Sequence, residues 1–188
     1  MSENGNFEGL KRRHRGRSSE RFLDKDKILA SLCIKAGEVI FDGGCGNGYM
    51  AKEFARLTGK TGKVYAMDVD AAAIESLKSE CEGTIIEAFA GDITKRTMPA
   101  DSSIDLIYLC TVVHCFSETQ MEEFVKEVKR LLKAGGRLAI VEIKKKESGF
   151  GPRLEMRFSP EELERAISLP VTHLADVGEM FYIQVFGN

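Results

Sequence analysis

The stretch Val39-Ile40-Phe41-Asp42-Gly43-Gly44-Cys45-Gly46-Asn47-Gly48 decides how this chain is read. An apolar run closed by an acid and emptied into glycines describes a buried parallel strand and a turn whose bare backbone a ligand can approach, since side chains at 44, 46 and 48 would bar it. Spacing sorts the kinds of glycine turn. Counting a dinucleotide fingerprint from Gly44 and Gly46 puts Tyr49 where the third glycine is required, and no Gly-Lys-Ser/Thr follows for a phosphate-binding loop. What stands is D-x-G-x-G-x-G, with a nucleotide-like cofactor as its occupant or, on the blander reading, a tight turn and nothing more.

Three further elements follow in order. Gly62-Lys63-Val64-Tyr65-Ala66-Met67-Asp68 is a second short strand closed by a carboxylate. Asp68 lies about 20 residues beyond Gly48, the offset at which an acid on the second strand accepts from vicinal ribose hydroxyls. Asp70 is then left to cap the helix that begins there, although either acid could do so. Ile85-Ile86-Glu87-Ala88-Phe89-Ala90-Gly91-Asp92-Ile93 ends a third strand in Gly-Asp, by itself only a turn signal. Ser103 to His114 and Arg130 to Glu142 supply a fourth strand with its loop and a helix, turn and fifth strand.

Taken together these motifs resemble the class I S-adenosylmethionine-dependent methyltransferases, and the type 11 group in particular, over residues 38 to 142 and only loosely beyond. Ala134 stands where that group usually has proline. The resemblance implies a doubly wound α/β fold with a mostly parallel seven-stranded sheet and an antiparallel strand in its C-terminal hairpin. It implies S-adenosylmethionine as cofactor and S-adenosylhomocysteine as product. The cofactor residues it implies are Asp42, Gly43, Gly44, Cys45, Gly46 and Gly48 in the loop, Asp68 and Val69 at the ribose, Asp92 at the adenine amine with Ile93 over the ring, and Cys110 at the end of strand four.

Composition agrees. A chain of 188 residues with 43% hydrophobic residues suits one domain, expected over 21–188, and a net charge of −2 gives no global nucleic-acid signature. No apolar stretch is long enough to span a bilayer and the polar start is no signal peptide, so a cytoplasmic location is expected. Five cysteines, none in a C-x-x-C pair, indicate neither a zinc site nor a disulfide framework, and no metal is expected. Cys110 and Cys115 fall near the proposed pocket, where a thiol-reactive or arsenic-type substrate is a minor alternative to burial as small apolar side chains.

Residues 1–20 carry Lys11-Arg12-Arg13-His14-Arg15-Gly16-Arg17, read as a mobile basic tail that could also grip RNA phosphates. A helix over 24–34 is expected to cover one edge of the cofactor pocket. Strands are expected at about 38–42, 63–68, 84–89, 104–109 and 136–143, and helices at about 47–58, 70–80 and 118–133. A helix opening at Ser159-Pro160 and a hairpin over 171–186 close the chain.

His114 is the histidine placed at a strand's carboxyl edge, and it either accepts a proton from a hydroxyl or enol or merely packs and hydrogen-bonds in its loop, the reading preferred from residue type. Amino-group nucleic-acid methylases resemble one another in an N-P-P-Y motif after strand four, and cytosine-C5 enzymes in a Pro-Cys nucleophile. Leu109-Cys110-Thr111-Val112 is neither. A small, apolar, quinone-like acceptor is therefore expected, entering over 111–117, 144–158 and the N-terminal segment. RNA methylation through the tail, a non-catalytic cofactor-binding module, a nicotinamide-dependent oxidoreductase and assembly as a homo-oligomer remain open alternatives.

Overall fold

The architecture follows from strands too apolar to face water on either side. β1 (Val39–Gly43), β4 (Ile104–Cys110) and β5 (Leu132–Ile143) are buried almost throughout, as strands covered by helices on both faces must be. A computed structural model describes residues 19–188. The basic segment expected over 1–20 lies outside the described residues save for Ser19 and Glu20. With β2 (Lys63–Asp68), β3 (Ile86–Ala90), β6 (Val171–Gly178) and β7 (Phe181–Gly187) the strands form one seven-stranded sheet in the order β3-β2-β1-β4-β5-β7-β6. β7 pairs antiparallel with both neighbours and the other pairings are parallel.

Alternating side chains feed two cores. Ile40, Tyr108 and Val141 pack on the face carrying Leu32, Phe54, Ile74 and Leu77. These belong to α1 (Lys25–Leu32), α2 (Tyr49–Thr58) and α3 (Ala71–Glu80). Phe41, Ile107 and Ile140 pack on the opposite face with Phe124, Val128, Leu163 and Ile167, from α4 (Glu118–Leu131) and α5 (Pro160–Ile167). Helix starts are set by side chains that accept orphan N–H groups. Asp24 and Asp70 cap α1 and α3, and Ser117 with Gln120 and Ser159 with Glu162 form reciprocal boxes at α4 and α5.

Two boundaries differ from expectation, each for a local reason. α1 stops at Leu32 because Cys33 turns left-handed at φ 48°. β5 starts at Leu132, which pairs with Ile104 before the chain bulges through Gly135 at φ 75° and resumes with Arg137 against Leu106. Along its length α1 packs against β6 and β7. Its first turn reaches α2, where Lys25 pairs with Glu53 at 2.6 Å and lies over the Tyr49 ring.

At the opposite end of the sheet Arg137 ties three elements. Its Nη1 and Nη2 donate to the two Glu38 oxygens at 2.9 and 2.8 Å, and Nε donates to the Leu32 carbonyl at 3.0 Å. Lysine keeps the charge but not the fork. Arg137→Lys is expected to lower unfolding free energy by about 1–3 kcal/mol, read by chemical denaturation; an unchanged midpoint would show that the fork contributes nothing.

Candidate active site

β1 is flanked by β2 and β4, so the strand order turns back at its carboxyl end, the crevice in which open α/β sheets hold ligands. The glycine loop sits there. Its donors are already committed. Gly44 and Cys45 N–H both donate to the Met67 carbonyl, at 2.7 and 3.0 Å, Gly46 N–H donates to Asp68 Oδ2 at 2.9 Å, and Gly48 N–H donates to the Cys45 carbonyl at 2.9 Å. A loop that spends these N–H groups on its own fold cannot cradle a pyrophosphate, which binds through such donors. With the carboxyls of Asp42 and Asp68 beside it, the crevice suits a cation.

The three glycines of the motif are not equivalent. A Cβ at Gly44 would meet Val112 Cγ2 at 2.5 Å and one at Gly48 would meet Leu77 Cδ1 at 2.4 Å, so the protein's own packing demands both. A Cβ at Gly46 meets nothing within 4 Å. Open space beside the middle glycine is where a ligand can lie against the loop, while at Gly44 and Gly48 the protein's own packing is a further reason for glycine.

Asp42, 2% exposed at the end of β1, has an Oδ2 buried without a hydrogen-bond partner. Burial, then the nearby Asp68 charge, pushes its pKa up to about 8, against the pull of the Ala51 N–H at the start of α2. Burial, then Asp42 and Asp68, likewise raises the Cys45 thiol far above its ordinary value, so this cysteine is an inert part of the wall. Asp68 is divided between the loop and its own turn, Oδ1 accepting from the Asp70 N–H at 2.8 Å. Each oxygen retains a lone pair for a hydroxyl. Asp70 caps α3 through Ala72 and Ala73, as expected.

Around these lie the remaining expected residues. Val69 is 64% exposed beside Asp68. Asp92 accepts from the Thr94 N–H and Oγ1 at 2.9 and 2.7 Å through one oxygen, and Ile93 is buried in the core. Gly43 lies in β1 against Leu109, and Cys110, half-buried, ends β4. Among the described residues no group of three or more acids, histidines and cysteines is placed to hold a metal ion.

His114 lies in a 310 turn, Val113–Cys115, directly after β4. It is buried and hydrogen-bonded, as residue type suggested, but its partner is unexpected. Nδ1 sits 2.9 Å from Oε2 of Glu142, which is 0% exposed in β5. Burial alone would lower the imidazole pKa, yet hydrogen bonds with Cys115 and Glu142 and the charge of Glu142 overcome it and hold it at about 10. Glu142 was missed from sequence. Its one visible signal is an acid inside the otherwise apolar run Leu138 to Ile143.

Against this geometry, a family model for a methyltransferase domain matches residues 40–136. The chain belongs to the methyltransferase-domain family. That agrees with the sequence's resemblance to the class I S-adenosylmethionine-dependent methyltransferases. A ubiquinone/menaquinone biosynthesis C-methyltransferase of Laribacter hongkongensis is 28% identical over 123 residues, 64% of this chain and 49% of its own length. One from Hahella chejuensis is 28% identical over 116 residues, 60% of this chain and 45% of its own. The methyltransferase therefore spans about half the length of the curated relatives it matches. A SAM-dependent methyltransferase structure from Aquifex aeolicus shares the fold at a TM-score of 0.81 and 24% identity, covering 96% of this chain and 97% of its own. Among the described residues no helix is long and apolar enough to cross a membrane.

The glycines separate by experiment. Gly46→Val is expected to weaken S-adenosylhomocysteine binding by roughly tenfold or more, with a modest stability cost of about 1–2 kcal/mol for its φ of 53°. Gly48→Val should instead lower the melting temperature through Leu77; calorimetry and thermal melts that rank the two alike would contradict this. Asp42 gives a pH prediction. A cation favours its ionised form, so binding of S-adenosylmethionine below about pH 8 expels a proton and affinity rises with pH to about 8 and then levels. Calorimetry in buffers of differing ionisation enthalpy should show that release, and Asp42→Asn should abolish it.

Proposed function

We propose that this methyltransferase moves the S-adenosylmethionine methyl group to a small aromatic acceptor. The observation that carries the cofactor half is the loop itself: committed N–H groups, an orphaned buried carboxyl oxygen at Asp42 and open space at Gly46 fit a ligand bearing positive charge. Asp68 would take the ribose hydroxyls with Val69 against the nucleoside, Asp92 the adenine amine beside Ile93, and the 42–48 loop with Cys110 the charged end. When bound, the cofactor supplies a methyl group on a positively charged sulfur. The protein's part is to align the acceptor and exclude water.

The acceptor half rests on apolar rings gathered at the same end of the sheet. β7 begins at Phe181 beside Ile143, where β5 ends. Phe150 lies 6.3 Å from the Phe181 ring and stacks on Phe22 at 5.1 Å. Phe22 belongs to a turn, Ser19–Phe22, pinned to the hairpin by the Asp24 N–H on the Val177 carbonyl at 2.8 Å. The loop bearing Phe150 is held by Arg157, which is buried and donates to the carbonyls of Lys144, Lys146, Phe150 and Pro152. Phe22 and Phe150 are 55% and 37% exposed, an apolar mouth suited to a ring. The curated relatives are named for C-methylation in quinone biosynthesis, which supports a phenol or quinol acceptor. We place the enzyme in the cytoplasm, as five cysteines that form no C-x-x-C pair or full disulfide framework suggest.

Incubation with S-adenosylmethionine labelled in its methyl group and a panel of phenols and quinols should put label on the acceptor. Asp68→Ala should raise the cofactor Kd by roughly tenfold or more. No label on any member while the cofactor binds normally would favour a binding module; NADH bound in place of S-adenosylmethionine would overturn the assignment.

A further inference from the structure

The pair formed by His114 and Glu142 has no assigned part in holding the cofactor, yet it buries an ionisable pair at the strand tips. Glu142 is 0% exposed and its Oε1 is buried with no hydrogen-bond partner. Its Oε2 accepts from His114 Nδ1 at 2.9 Å and from the Ile143 N–H at 3.3 Å. Across the β5–β7 ladder stands Tyr182, whose hydroxyl donates to the Phe158 carbonyl at 3.0 Å and not to Glu142. The ionisable ring in hydrogen-bond contact with this buried carboxyl is His114, and a charge there is tolerated only when paired.

The pairing also fixes the ring. Nδ1 is held by Glu142 and the ring also interacts with Cys115 of its own turn, so Nε2 is the nitrogen by which a histidine 7% exposed in the turn after β4 can meet a ligand. That turn leans on the glycine loop through Val112, whose Cγ2 fills the space over Gly44. The ring thus lies between the crevice proposed for the cofactor and the tip of β5, from which the loop bearing Phe150 departs.

We propose that Glu142 is a positioning residue which keeps His114 positively charged and turned so that Nε2–H meets an anionic oxygen of the acceptor, and that the acceptor is therefore a phenol or enol bound as its anion. The inference rests on the methyl-transfer reading above and adds the protonation state of the substrate to it. His114 then acts as a donor where the sequence suggested a base. A fixed cation at the oxygen lowers the acceptor's pKa and holds its charge in a site from which water is excluded.

The electron and proton count closes without a base. The acceptor hydroxyl loses its proton to solvent on binding. An electron pair from that oxygen, or from the ring carbon conjugated with it, forms the bond to the methyl carbon as the methyl–sulfur bond breaks and leaves its pair on sulfur. Where a ring carbon attacks, the methylated dienone leaves the site and loses that carbon's proton to bulk solvent, which restores the aromatic ring. The groups that tune His114 are Glu142 from β5 and Cys115 from its own turn. Tyr182 from β7 faces Glu142, with Glu161 and Glu162 of α5 beyond it.

Two readouts test this apart from turnover. In nitrogen-15 NMR of the full chain, His114 should keep both ring protons until about pH 10. In Glu142→Gln the titration should move down by about 1–3 units. In the second, 4-nitrophenol is added to the complex with S-adenosylhomocysteine and the phenolate absorbance followed against pH. Wild type should lower the probe's apparent pKa, and Glu142→Gln and His114→Gln should each abolish that shift while calorimetry shows S-adenosylhomocysteine still bound. If Glu142→Gln does not fold, the wild-type titration and His114→Gln decide. An imidazole in wild type that titrates near 6.5, or a probe that is not bound or shows the same spectrum in wild type and His114→Gln, overturns the inference while cofactor binding stands. Loss of S-adenosylhomocysteine binding in wild type removes the underlying reading instead.

Discussion

The hydrogen bond from the Gly46 N–H to Asp68 is the constraint on which the rest of the site depends. It joins the tip of β1 to the tip of β2, and with the two bonds onto the Met67 carbonyl it folds the glycine loop back on its neighbour. A loop so folded keeps its donors for itself and turns a carboxyl-rich, donor-poor surface to the crevice. The sign of the ligand's charge is thus decided by where a few backbone N–H groups point, before any side chain selects a substrate.

Packing then determines which part of the loop stays open. Val112 occupies the space over Gly44 and Leu77 that over Gly48, so α3 and the turn after β4 are both keyed to the same backbone. The turn carries His114 and leads into α4, whose Ser117 and Gln120 box fixes where the helix begins. Cofactor crevice and acceptor side are therefore coupled through a single side chain, Val112, as well as through the sheet. On the acceptor side the order comes from a different device: a buried arginine, Arg157, satisfied by backbone carbonyls alone, holds the loop that presents Phe150.

Much of this was legible in the chain. The strands that end near Asp42, Asp68 and Asp92, the capping role of Asp70 and the closing hairpin have local signatures in apolar runs, acids at their ends and turn residues between, whereas the seven-stranded sheet with its antiparallel β7 was implied by the family resemblance. Two things were not. The burial of His114 against Glu142 joins residues that sit on different elements and meet only because β4 and β5 pair in register, which no local pattern records. Glycine identity was the other, since the same residue type answers to Val112 at 44, to Leu77 at 48 and to empty space at 46. Helix and strand ends slipped where backbone conformation took over, at Cys33 and at the bulge before Arg137.

The central claim is that the crevice at the tips of β1 and β2 receives a cationic adenosyl ligand, and a structure of the complex with S-adenosylmethionine tests it most directly. The account predicts the nucleoside against Asp68 and Val69, the amino acid end beside Asp42, and the ligand in contact with the Cα of Gly46. A ligand lodged elsewhere on the chain, or none at a saturating dose, would contradict it.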